Sequence, residues 1–411
     1  LNVIRWTERQ CLLHLFPLII SISFAMDVFV PAIPEMSYFF KTDSAVMQAS
    51  LYVFMLTVAL GQLFVGPLAD RFGRRRIAVY SALLFLIGSV LAVFALSIHL
   101  LIIARIIQAA GACGTYLLCF IIVRDNYSTT VCARLFSVLC GTNSLIASSA
   151  PVIGGLLLDQ THDWHSEFYF LIILGLLMSL VAFRYIPDYD YCQQKLSNFS
   201  LVRSTKNIFK HPGFRLYTFI ASVNLLGLYL FCALSSGILM TQLHLSATQY
   251  GLWFGLNAMT VFFTNLIAAR LTYSFPLEKT VYCGLVLMIM SCFLMIVLNF
   301  HQFSTVRFMM PMLSLTFGIG LSMGAATALA LKDYKQQAGI ATALLGACQF
   351  GLSGLVGILI TQWTPDPLIL AIPMLCLSTL GLIKMKKGAG DPVHSDQTLD
   401  TNLNEHVEIN K

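Results

Sequence analysis

Twelve long apolar blocks, joined mostly by short polar connections, limit what this chain can become. They run roughly over 11–33, 45–69, 75–96, 99–123, 134–158, 165–186, 214–239, 247–270, 279–299, 302–330, 336–362 and 366–385. Most approach the ~20 residues that an α-helix needs to cross a bilayer. A water-soluble core could not hide so many apolar helices. Of the 411 residues, 57% are hydrophobic and only 11% charged, against roughly 25% charged in a soluble domain. Within hydrocarbon each backbone group has to be bonded inside its own segment, so the blocks are expected to be helices. The expected fold is an all-α membrane protein with 12 transmembrane helices. The first block is too long for a signal peptide and lacks a small-residue cleavage site, so it is expected to remain as a helix.

One connection is long and polar: PDYDYCQQKLSNFSLVRSTKNIFKHPG, residues 187–213. It divides the chain into two six-helix bundles. Residues 1–186 form the N-terminal bundle, 187–213 a cytoplasmic central loop and 214–387 the C-terminal bundle. Residues 388–411 are polar and aperiodic, the pattern of a disordered tail. Placing the N-terminus inside puts Arg9, the arginines after span 2, Arg124, Arg134, Arg270, Lys279, Lys332 and Lys335 in the cytoplasm. The opposite loops keep Lys41 and collect Glu35, Asp43, Asp159, Asp163, Glu167 and Asp366. Cytoplasmic loops carry the excess of Lys and Arg, so both termini are expected inside.

The 11 cysteines sit mostly singly inside apolar blocks and read as small packing residues. The histidines of THDWHSEF (161–168) have metal-like variety, but they sit in one outer loop among acids. No metal and no cofactor is expected.

The densest charge follows the second block directly, in GQLFVGPLADRFGRRR. Its pattern, Gly66-x-Leu68-Ala69-Asp70-Arg71-x-Gly73-Arg74-Arg75-Arg76, resembles the loop signature of the major facilitator superfamily. That resemblance implies two packed six-helix bundles and a conformational gate formed by Gly66, Asp70, Arg71, Gly73, Arg74 and Arg75. The Asp of this loop would pair with nearby cations and a helix end, latching one conformation. DVFVPAIP (27–34) resembles the first-helix motif of the superfamily's drug:proton antiporters. RIIQAAGACG (105–114) resembles their fourth-helix motif, with Ala109 where glycine is usual. SSAPVIGG (148–155) resembles the helix-5 antiporter motif through Ala150, Pro151, Gly154 and Gly155, with Ala150 in place of its first glycine. That replacement is tolerated in the bicyclomycin- and chloramphenicol-resistance branch. The C-terminal half fits by span count.

A charge inside a bilayer costs several kcal/mol and points to function. Three candidates exist: Asp27, Arg105 and Arg307. At ~1.5 Å per residue, Asp27 and Arg105 fall at matching depth, ~10 Å below the outer surface, and could pair. Each has a plain alternative: Asp27 a snorkelling residue, Arg105 a structural ion pair, Arg307 an interfacial anchor. HLLIIAR and HQFSTVR place His six residues before Arg105 and Arg307, an offset of 202 residues that an internal repeat would give. The resemblance implies that helices 1, 4, 7 and 10 line a central cavity. Asp27 and Arg105 would couple to protons there, and Asp27, Arg105, Gln108 and Arg307 would meet substrate.

The expected function is proton-coupled efflux of drugs or small organic metabolites across a bacterial inner membrane. The alternative is a transporter, in either direction, of an organic acid such as a carboxylate siderophore. An enzyme would need a catalytic cluster or a sizeable soluble domain, and an ATP-driven pump a nucleotide-binding loop; the sequence shows neither. The expected partners are a small-molecule substrate, protons and the lipid bilayer, with no nucleic acid, and the expected state is a monomer.

Overall fold

The computed structural model describes residues 6–127, 129–186, 205–271, 275–299, 304–334, 338–360 and 363–390. Helices dominate, and no strand occurs among the described residues. By length and composition, 11 of the described helical segments can cross a membrane. The fifth block forms a further helix of 33 residues, Thr129–Thr161, which fills the twelfth position.

Spans 1 to 6 are Glu8–Phe39, Ser44–Phe72, Arg74–Val93, Ile98–Asn126, Thr129–Thr161 and His165–Arg184. Spans 7 to 12 are Pro212–Gln242, Ala247–Leu271, Leu277–Asn299, Thr305–Leu331, Ala338–Ile360 and Pro367–Gly390. Span 12 thus stays helical three residues into the stretch expected to be a disordered tail. The remainder of the tail, and 187–204 of the central loop, lie outside the described residues. Residues 205–210 are helical just before span 7.

The two halves repeat one packing scheme. Span 3 packs on spans 4 and 6, as span 9 does on spans 10 and 12. Span 2 packs on span 4, and span 8 on span 10; span 1 touches spans 4, 5 and 6, and span 7 touches 10, 11 and 12. Small residues permit the closest of these approaches. Gly284 and Gly318 face each other between spans 9 and 10, where a Cβ on either would lie 2.7–2.8 Å from the other's carbonyl oxygen. The halves meet along two matching seams, span 2 on span 11 and span 5 on span 8. Leu60, Phe64, Ile173, Leu176, Phe293 and Leu359 are exposed, as lipid-facing side chains should be.

Span 1 is a broken helix. Its pieces are Glu8–Ile19, Ser21–Asp27, the 3-10 turn Val30–Ala32 and Ile33–Phe39. Thr7 and Gln10 form a capping box that starts it. Pro31 and Pro34 sit in the first turns of the last two pieces, where a missing N–H does least harm. They also prevent the helix from running straight on. Asp27 is therefore the last residue of a helical piece, and residues 17–33 around the break are all buried.

Candidate functional site

The break in span 1 delivers Asp27 to the place where the halves meet. The residue is 4% exposed, and its Oδ1 accepts from the thiol of Cys232 in span 7 at 3.8 Å. Tyr229 and Tyr250 of the C-terminal half lie within its electrostatic reach. A contact 205 positions away in sequence thus ties the first-span acid to the other bundle. Sequence reasoning missed Cys232, because a lone cysteine in an apolar block carries no local signal.

Arg105 is fully buried one face further into the N-terminal half. Its guanidinium carbon lies 4.3 Å from the Phe29 ring centroid and 4.6 Å from that of Phe54. Two aromatic faces, each worth about 2 kcal/mol to a desolvated cation, stand in for part of its lost hydration. Nη1 donates to Gln108 Oε1 at 2.6 Å, and Gln108 Nε2 donates to Ser89 Oγ of span 3 at 2.8 Å. Gln108 therefore orients the arginine. Nε and Nη2 have no hydrogen-bond partner. Asp27 and Arg105 influence each other electrostatically, but no ion pair joins them among the described residues; direct pairing gives way to coupling at a distance.

Further buried groups are unsatisfied nearby: both amide atoms of Gln48 and the hydroxyls of Tyr52 and Ser236. Each such group costs about 1–3 kcal/mol, so their grouping calls for an explanation.

The helix-5 motif closes the acidic end of the seam. Ala150 is buried and Pro151 lies within the helix. A Cβ on Gly154 would sit 1.8 Å from the Val28 carbonyl oxygen, immediately beside Asp27. One on Gly155 would sit 2.8 Å from the Ala247 carbonyl oxygen, at the start of span 8. Only glycine fits at either place. One helical turn on, Asp159 Oδ2 accepts from the Thr248 N–H at 3.0 Å and from the Thr248 hydroxyl. Span 8 has its own capping box in Ser246 and Gln249, and Asp159 adds a cap from the other half.

The arginine-rich loop has a different construction. Gly73 links spans 2 and 3 at φ 90°, a conformation open to glycine and strained for other residues. Arg74, 5% exposed, pairs with Asp70 Oδ1 at 2.5 Å and Asp125 Oδ2 at 3.1 Å. Its Nη1 also donates to the Ala69 carbonyl at the end of span 2, at 2.7 Å. Arg75 donates to the Phe183 carbonyl at the end of span 6, at 2.7 Å, and Arg71 lies over the Phe72 ring. Asp70 thus pairs with a cation beside a helix end. Asp125, which shares that cation, was not anticipated; its only signal was an acid beside Arg124 near the C-terminal end of span 4. Gly66 faces open space, with nothing among the described residues within 4 Å of an added Cβ.

Arg307 stands apart from this group. Ser97 caps span 4 and Ser304 caps span 10, each through its side-chain oxygen. Arg307 is half-buried in the first turn after its cap, whereas Arg105 is fully buried in the third. The 202-residue match of the two short strings therefore does not bring the arginines to equivalent depth, because the helix starts are offset by 207 positions.

The family model described as Major Facilitator Superfamily matches residues 15–358. The chain belongs to the Major Facilitator Superfamily. Among its relatives, the chloramphenicol resistance protein of Pseudomonas aeruginosa is 25% identical over 398 residues, covering 94% of each chain. The bicyclomycin resistance protein homolog of Haemophilus influenzae is 24% identical over 363 residues, covering 86% of this chain and 88% of its own. The xylose transporter XylE of E. coli, in a partially occluded inward-open conformation, superposes with a TM-score of 0.74 at 13% identity, over 94% of this chain and 98% of its own. That likeness shows the fold. Both of these sequence relatives are named for drug resistance, and the family places the chain among multi-pass membrane transporters.

Proposed function

We propose that this chain exports drug-like or other small organic molecules across a bacterial inner membrane in exchange for protons. Both termini face the cytoplasm, and a monomer suffices. The observation that carries the reading is Asp27: a buried carboxyl at a helix break, bonded to Cys232 of the opposite bundle. A titratable group so placed feels both halves at once. Its charged form favours the nearby Arg105, and its neutral form tolerates dry packing. Alternating access would move it between these settings. The membrane potential contributes ~2.3 kcal/mol per charge per 100 mV. Resistance to chloramphenicol and bicyclomycin, in the names of two relatives, supports drug-like cargo over an organic acid.

The acidic end is then the outer face. Its seam is shut here by Gly154, Gly155 and Asp159, which corresponds to an outward-closed conformation. The Asp70–Arg74 loop gates the cycle from the cytoplasmic edge without touching substrate. Arg307, near the outer end of span 10, would meet cargo at the rim of the cavity.

The test uses inside-out vesicles under an imposed pH gradient, with chloramphenicol as cargo. Asp27→Asn should abolish uphill accumulation while keeping downhill exchange. Uphill transport at the wild-type rate would refute the coupling assignment. In the same vesicles, Asp70→Asn should slow turnover with little change in affinity.

A further inference from the structure

The unsatisfied polar groups linked to Asp27 through Cys232 fall on two facing stripes. Gln48 and Tyr52 are four residues apart in span 2, and so share a face of that helix. Cys232 and Ser236 are four apart in span 7 and share a face there. The stripes are close together. Gln48 Nε2 lies 3.9 Å from where a Cβ on Gly237 would stand, Tyr52 is within electrostatic reach of Cys232, and Cys232 bonds Asp27. The Tyr52 ring fills the space that Gly357 of span 11 leaves open, where a Cβ would come 1.9 Å from ring carbons. Three spans from both halves therefore hold these groups in place.

Hydroxyls close to them in the chain are satisfied. Ser235, one residue away, pairs its hydroxyl with that of Tyr250 at 3.0 Å. Ser222 and Ser50 return theirs to backbone carbonyls of their own helices. Ser236, Tyr52 and both ends of the Gln48 amide have no partner while being 0–1% exposed. The helix itself changes character at this point. Span 7 turns from α to a six-residue π segment, Gly237–Gln242, directly after Ser236. Such wide turns in helices are frequent at functional sites.

We propose that Gln48, Tyr52 and Ser236 form the subsite that selects cargo, and that it takes an uncharged head carrying both a hydrogen-bond donor and an acceptor, such as an alcohol or an amide. The chemistry of the groups sets this preference. A glutamine amide offers N–H donors at one end and a carbonyl acceptor at the other, while the two hydroxyls can serve either role. A carboxylate accepts only and would leave Gln48 Oε1 unmet. An ammonium donates only and would leave Gln48 Nε2 unmet. A head with both functions satisfies all of them and leaves the Asp27 carboxyl to carry the proton. The inference rests on the exporter reading above and adds to it a cargo class and three residues.

The experiment is equilibrium binding to the full-length protein in nanodiscs with two probes. Chloramphenicol carries hydroxyls and an amide; tetraphenylphosphonium is a cation with no hydrogen-bonding group. The variants are Gln48→Leu, Tyr52→Phe and Ser236→Ala, which delete polar atoms and little volume. Each is expected to weaken chloramphenicol about 5- to 30-fold and to leave tetraphenylphosphonium within twofold. Thermal unfolding without ligand should occur at the wild-type temperature or higher, because a group that lacked a partner has been removed. Unchanged chloramphenicol affinity in all three variants overturns the subsite, as does an equal loss for both probes. Failure of the wild-type protein to bind chloramphenicol also overturns it. The exporter reading stands or falls separately, on uphill transport by Asp27→Asn.

Discussion

Two aspartates at opposite ends of the molecule hold their surroundings together in different ways. Asp159 reaches across the seam and caps span 8 of the other bundle. Asp70 binds Arg74 of its own bundle, which in turn binds Asp125 and the Ala69 carbonyl, also in that bundle. In the exporter proposed above, this is the outer contact, and it must break when the halves rock apart there. The inner cluster can travel intact, as part of a rigid body. One end stabilises a conformation, while the other stabilises a half.

Removing Arg74 should expose this difference most strongly. Arg74→Ala removes the buried cation that Asp70 and Asp125 share; Asp125 keeps Arg124 and Asp70 is partly exposed, so the loss is that of charge-assisted hydrogen bonds, about 3 kcal/mol in all. The loss should appear as early unfolding of the N-terminal bundle in a thermal melt, with little movement of the outer seam. Gly154→Ala comes next. Its new methyl would meet the Val28 carbonyl, and overpacking of this kind costs about 1–3 kcal/mol. Here the cost falls on the outward-closed conformation, so spin-label distances between spans 1 and 5 should lengthen at the outer end while the melt changes little. Asp159→Ala is the mildest of the three. Loss of a helix cap costs about 1 kcal/mol, enough to shift the closed and open populations roughly fivefold. Labelling of a cysteine introduced in place of Thr161 should speed up accordingly. A global loss of stability in Asp159→Ala, or an opened outer seam in Arg74→Ala, would reverse the assignment of the two ends.

The twelve spans and the six-plus-six division were legible because lipid imposes a length and a composition on each helix separately. The break in span 1 was half legible: Pro31 and Pro34 advertise it, but not that it ends a helix at Asp27. What could not be read was everything that depends on which helix faces which. Cys232, Asp125 and Asp159 owe their roles to partners 205, 51 and 89 positions away, and no local periodicity encodes such pairings. The match between Arg105 and Arg307 misled for a related reason. Similar strings give no depth until the helix caps are known, and the caps at Ser97 and Ser304 have a different offset.

Gly66 has the opposite setting to Gly154. It lies inside the helix of span 2, where alanine would be favoured by about 1 kcal/mol, and no described neighbour requires it to be small. A residue whose size matters in only one of two states biases the equilibrium by its cost in that state alone. Gly66→Ala is therefore expected to increase the resting share of the outward-closed form and to slow the return stroke. Single-molecule distance measurements across the outer seam would read both. The same substitution at Gly154 should push the population the other way, so two methyl groups would act as opposed weights on one balance. Equal populations with and without the Gly66 methyl would mean that no crowded state of that position is visited during the cycle.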